Sequence, residues 1–297
     1  MVYGVLDVPS HVLGWTGWVF VFGLCRRGVW TMTTAVTHDA VLRAGYIGVS
    51  ALCVQMIIWI WFAPGSCTLL RSALRDEMFS SGSNKFVPSN LVLKYRKHFA
   101  VCATHVLPAS VWCALIPFQL HPNARKQYMK LHRITGRVFF AVGASMTYGY
   151  YLIHKRGLHF HMTDFPTLPG DASISFVFDY AKVGMAFVHF EHAGAVWFAY
   201  TLVRAFTAVA VSRDFIQHRV WTWRHVAAGL TVALQRVFIF FHHMFFTLAY
   251  GHGYSHVPEI QKPIFADSLV YGGLVAVLYC EACVWRVVGS PRKSKHA

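Results

Sequence analysis

Six apolar runs, at 41–63, 97–120, 131–154, 175–203, 219–250 and 265–285, each come near or exceed the roughly 20 residues an α-helix needs to cross a bilayer. Lipid offers the backbone no hydrogen-bond partner, so runs of this length are expected as helices that satisfy their own N–H and C=O groups. The rest of the composition agrees: 56% of residues are hydrophobic and 13% charged, too few charges for a soluble globule of this size. The expectation is an all-α, polytopic transmembrane helix bundle with six strong spans. Residues 1–40 hold a weaker seventh segment, a short span or an interfacial helix. Residues 41–287 form one helical membrane domain, and 288–297 a basic tail.

Charge sets the orientation. Arg125, Lys126, Lys130, Arg133 and Arg137 surround the connection between the second and third runs. Arg204, Arg213, Arg219 and Arg224 surround the one between the fourth and fifth, and Arg286, Arg292, Lys293 and Lys295 follow the sixth. All three regions fall on one side, which the positive-inside rule makes the cytosolic or matrix side. Lys94, Arg96 and Lys97 lie opposite. A net charge of +15 distributed in this way excludes a nucleic-acid partner and favours anionic lipid, cardiolipin among them. Seven cysteines, mostly inside apolar runs, imply no disulfide framework. Basic charge, polytopic character and absent disulfides together point to the mitochondrial inner membrane.

Polar residues inside the runs carry what chemistry there is. At 100° per residue, His218, His225, Arg236 and His243 fall within roughly 20° of one another on a single helix face. His98, His105, Trp112 and Gln119 form a second stripe, spaced by sevens. An Arg or His within a bilayer is costly unless it meets a partner, a cofactor or water. His105 and His243 each lie about 10 Å inside the outer surface, counted at 1.5 Å per residue. Two imidazoles at matched depth could ligate a b-type haem or another metal. His189, His192 and His225 are further candidate cofactor ligands. The structural alternative for such histidines is hydrogen bonding between helices. Arg236 and Glu191 share a depth and are expected to form an ion pair, with Glu281 the other carboxylate at that level. A proton relay through His189, Glu191 and His192 is the functional counterpart. Small residues, including Gly136, Gly143, Ala193, Gly194 and Ala195, are expected at helix interfaces.

The third and fifth runs open alike, with His132-Arg133 followed by Arg137, and His218-Arg219 followed by Arg224. Both ends lie on the inner side, so these six residues could meet and bind a phosphate, a carboxylate or a lipid headgroup. No nucleotide loop, nucleophile elbow or zinc-protease motif is present, and no catalytic residue is expected.

The segments His105…Gln119…His132-Arg133-x-x-Gly136-Arg137 and Arg213-Asp214-x-x-x-His218-Arg219-x-Trp221-x-x-Arg224…Arg236 resemble the signature of the membrane-protein family called domain of unknown function 2306. The resemblance covers about half the chain, residues 97–240. It implies a helical bundle and singles out His105, Gln119, His132, Arg137, His218, Arg224 and Arg236, without bringing an activity. Thr222 and Trp223 stand where methionine and an aliphatic residue are usual, and His242, His243, His252 and His256 lie outside the signature. The expected function is an accessory subunit of an energy-transducing, respiratory-type membrane assembly with an intramembrane haem or quinone site. The alternatives are a stand-alone b-type haem oxidoreductase and, more distantly, a proton- or ion-coupled transporter. Other membrane subunits and membrane lipid are the expected partners.

Overall fold

A computed structural model describes residues 38–62, 95, 97–121, 123–159, 187–251 and 258–289. The N-terminal segment, the basic tail, and the part of the fourth run before Phe187 lie outside the described residues, as do His252 and His256. Among the described residues all regular structure is helical: α1 His38–Phe62, α2 Phe99–Leu120, the short α3 Ala124–Gln127, α4 Met129–Lys155, α5 Phe187–Ala210, α6 Phe215–Tyr250 and α7 Pro258–Gly289. Five of them (α1, α2, α5, α6 and α7) are long and apolar enough to cross a membrane. The chain is a multi-pass integral membrane protein. The third apolar run does form a helix, α4, of 27 residues. Arg137, Ser145, Thr147 and three tyrosines at 148, 150 and 151 hold its hydropathy below that of the other five.

Helix ends follow local chemistry. Asp214 caps α6, its carboxylate accepting from the backbone N–H groups of Ile216 and Gln217 at 3.0 Å each, so the helix begins ahead of the apolar run. Arg213, at φ 53°, makes the turn that reverses the chain between α5 and α6. α5 continues past Arg204 to Ala210, and that guanidinium lies over the Trp221 ring, 4.8 Å from its centroid.

α6 is the central helix, packed along α7 and α5, while α2 packs between α4 and α1; α4 meets α5, and α1 meets α6 and α7. The main core gathers Trp112, Ile116, Phe139, Phe198, Val226 and Leu230 at mid-depth. A second cluster, Val220, Trp223, Cys280, Cys283 and Val284, joins α6 to α7 near the inner end. One expectation is corrected here. Cys102, at the outer end of α2, is disulfide-bonded, with its partner outside the described residues, so the premise of absent disulfides fails.

Candidate functional site

The polar stripes divide at mid-membrane. In the inner half they bind helices together. Trp112 donates its indole N–H to His225 Nε2 at 3.2 Å, and His225 donates from Nδ1 to the Phe198 carbonyl at 3.1 Å. The ring is fully buried and packs edge-on against Trp112 and Phe139, at 5.5 Å each. Both nitrogens of His225 are committed to hydrogen bonds between helices. Gln119 donates to Thr135 Oγ1 at 2.6 Å and to the His132 carbonyl at 3.2 Å. His218 donates from Nδ1 to the Ala205 carbonyl at 3.0 Å.

At the inner surface His132 and His218 do come together, with Arg125 beside both and next to Arg219. Arg133 and Arg137 flank them, exposed. Arg125 is the member the sequence reading left out, since it sits in the connection ahead of α4. Arg224 belongs elsewhere. It reaches α7 and holds Glu281 in a two-pronged ion pair, Nε–Oε1 at 2.7 Å and Nη2–Oε2 at 2.8 Å. Its guanidinium also lies 4.8 Å from the Trp221 ring centroid. The predicted anion site therefore splits into a histidine-arginine cluster and a separate arginine-carboxylate lock.

In the outer half α1, α2, α4, α5, α6 and α7 surround a cavity of about 980 Å³. Ala193, Gly194 and Ala195, expected at a helix interface, line it instead, and a Cβ at Gly194 would meet nothing within 4 Å. Small side chains here hollow the bundle rather than close it.

His105 reaches the cavity from a π-helical turn, Cys102–Val106. Pro108 has no N–H to give the Thr104 carbonyl one turn back, which accepts from Ser145 Oγ at 2.9 Å instead. The Leu107 N–H reaches Cys102 O, widening the turn. The widened turn presses on α4 at Gly149, where a Cβ would lie 2.8 Å from the His105 backbone nitrogen. His105 Nδ1 donates to the Met146 carbonyl at 2.9 Å. That bond fixes the tautomer and leaves Nε2 as an acceptor on the cavity side. Tyr150 also lines the cavity, and its hydroxyl has no hydrogen-bond partner among the described residues.

Arg236 brings a positive charge to the cavity wall, which Glu191 lines as well. Gln235 donates to the Phe265 carbonyl at 3.0 Å, which turns its Oε1 toward Arg236, and Arg236 Nη1 donates to that oxygen at 2.7 Å. The guanidinium lies 5.1 Å from the Trp59 ring centroid and 5.9 Å from that of Phe265. Its Nε is buried without a hydrogen-bond partner among the described residues.

Two expected pairings do not form. Arg236 and Glu191 line the same cavity, but the carboxylate ion pair among the described residues is Arg224–Glu281. Glu191 sits beside Tyr150, because the rotation of α5 turns it toward α4. His105 lines the cavity and His243 does not: beyond Arg236, α6 leaves the cavity wall and His243 is buried. These two histidines therefore do not clamp one ligand there. At the outer mouth His192 Nε2 lies 2.9 Å from His154 Nδ1, and His159 stacks on His154 and meets His192 edge-on, its centroid 6.0 Å from each. His189 is exposed. Among the described residues no three of His, Cys, Asp and Glu are arranged to hold a metal ion.

No family model, curated protein or solved structure matches the chain.

Proposed function

We propose that this chain, with α4 as its sixth span, is a ligand-holding accessory subunit of an energy-transducing membrane assembly. The ligand is a lipid-soluble amphipathic molecule seated in the outer-half cavity. One observation carries this reading: about 980 Å³ of mainly apolar space in which a buried guanidinium faces the interior. Ligand cavities run to roughly 300–1,000 Å³, apolar with a few placed polar groups.

Quinones belong to this class: their carbonyls accept hydrogen bonds of the kind Arg236 and Tyr150 can donate. The resemblance to domain of unknown function 2306 supports a shared signature around His105 and Arg236. Basic inner loops and the inner His132–His218 cluster support contact with anionic lipid, cardiolipin included. The disulfide at Cys102 supports an oxidising compartment on the outer side. The mitochondrial inner membrane then rests on charge and polytopic character alone.

The second reading is b-type haem, favoured by one observation. His105 donates its Nδ1–H to the Met146 carbonyl, the arrangement that orients an imidazole for ligation through Nε2. One preparation tests both. The chain is purified in mild detergent, its reduced and oxidised spectra are recorded, and its organic extract is analysed by mass spectrometry. One small amphipathic molecule in near-stoichiometric amount is the expected result. Reduced α and Soret bands lost in His105→Ala would establish haem instead. A featureless spectrum and an extract with no stoichiometric small molecule would overturn the ligand-holding reading.

A further inference from the structure

We infer that the cavity ligand carries an oxyanion, a carboxylate or phosphate head on an apolar tail, and that Arg236 is the group that receives it. The inference rests on the cavity being a ligand site, as proposed above, and adds the chemical class of the ligand's head.

Arginine stays protonated under all ordinary conditions, so Arg236 brings a full positive charge into the membrane interior. Such a charge is tolerated where something compensates it. Its surroundings compensate only in part. The guanidinium has five N–H donors, and among the described residues it makes one hydrogen bond, to the neutral amide of Gln235. Trp59 and Phe265 address the faces of the cation rather than its edge. The tyrosine near it is Tyr95, a phenol that is uncharged at neutral pH. The nearest parallel in the molecule shows what completion looks like. Arg224 also lies against an aromatic ring, Trp221, and there both a second nitrogen and Nε are engaged by Glu281.

Arg236 thus has the aromatic support of Arg224 without the carboxylate, and opens instead on a cavity large enough for a ligand. Its orientation is held from behind, through Gln235 and the Phe265 carbonyl. A planar fork fixed in this way matches the two oxygens of a carboxylate or phosphate. The apolar wall formed by Met56, Ile60, Val106, Leu269 and Val277 suits the tail.

The test uses the full purified chain in neutral detergent and two fluorescent probes of equal tail length, cis-parinaric acid and its methyl ester. The acid is expected to bind at least about tenfold more tightly than the ester, the scale of one charge-assisted bond pair. That ratio is expected to collapse in Arg236→Gln and to survive in part in Arg236→Lys. Should Arg236→Gln fail to fold, Gln235→Met, which releases the guanidinium without removing it, should narrow the same ratio. Lysophosphatidic acid as competitor separates the sources: displacement below the concentration of competing oleate assigns a phosphate head, and the reverse a carboxylate. Equal binding of acid and ester by the parent would overturn the anion assignment and leave the ligand-holding reading standing. Binding of neither probe would overturn both.

Discussion

His225 and Arg236 stand eleven positions apart on one face of α6, three turns along one polar stripe, yet they have opposite fates. His225 has both ring nitrogens bonded, one to α2 and one to α5, inside a close-packed aromatic layer. Arg236, further out, meets a single amide and an open space. The inner half of the bundle spends its polar residues on joining helices, whereas the outer half leaves His105, Tyr150 and Arg236 facing a cavity. A stripe with one sequence period therefore means adhesive in one half and a candidate site in the other. Helix separation decides between them: Trp112 reaches α6 over the backbone of Gly229 at the mid-depth floor of the cavity, while Ala193, Gly194 and Ala195 recede from it further out.

Removing the inner layer should have the largest effect. Trp112→Ala deletes a fully buried indole and strands His225 Nε2, and should cost about 3–5 kcal/mol. Thermal unfolding of the purified variant in detergent checks this, and a parent-like melting point would refute the adhesive role of the layer. A smaller loss is expected from crowding the same place. A Cβ at Gly229 would lie 2.9 Å from Phe198 and from Trp112 Cζ2, so Gly229→Val should cost roughly 1–3 kcal/mol. Placing valine at Gly194, where nothing lies within 4 Å, should leave the melting point unchanged. Equal losses at the two glycines would mean the halves do not differ in packing.

Much of this architecture is legible in the sequence because it depends on short-range properties. Apolar length marks α1, α2, α5, α6 and α7, and the seven-residue spacing places His105, Trp112 and Gln119 on one face. Interhelical bonding is the structural alternative for the histidines, and His105 does bond across to α4, as Trp112 and Gln119 bond to α6 and α4. The meeting of His132 with His218 also follows from orientation alone. What the sequence hides is helix rotation and spacing. Depth matched Arg236 to Glu191, but depth says nothing about which way a side chain turns around its helix, and Glu191 faces Tyr150. Matched depth likewise paired His105 with His243, although α6 leaves the cavity before His243. A small-residue run has the same composition whether it admits a neighbouring helix or hollows out a wall.

The smallest stability effect is expected where the sequence reading placed the most energy. Had Arg236 been half of a buried ion pair, Arg236→Met would strand a carboxylate and cost several kcal/mol. In the structure it leaves behind only Gln235 Oε1, whose amide still donates to the Phe265 carbonyl. Methionine is apolar and flexible enough to rest against Trp59 and Phe265, and exchanging a poorly compensated buried charge for an apolar side chain is often neutral or stabilising. Arg236→Met should therefore melt within about 0.5 kcal/mol of the ligand-free parent, or above it. Ligand should widen the gap in the other direction: an anionic amphiphile bound to the parent raises its melting point in proportion to occupancy, and the methionine variant should not respond. A variant destabilised by several kcal/mol without ligand would make Arg236 another piece of adhesive, and the two halves of the stripe would no longer differ in kind.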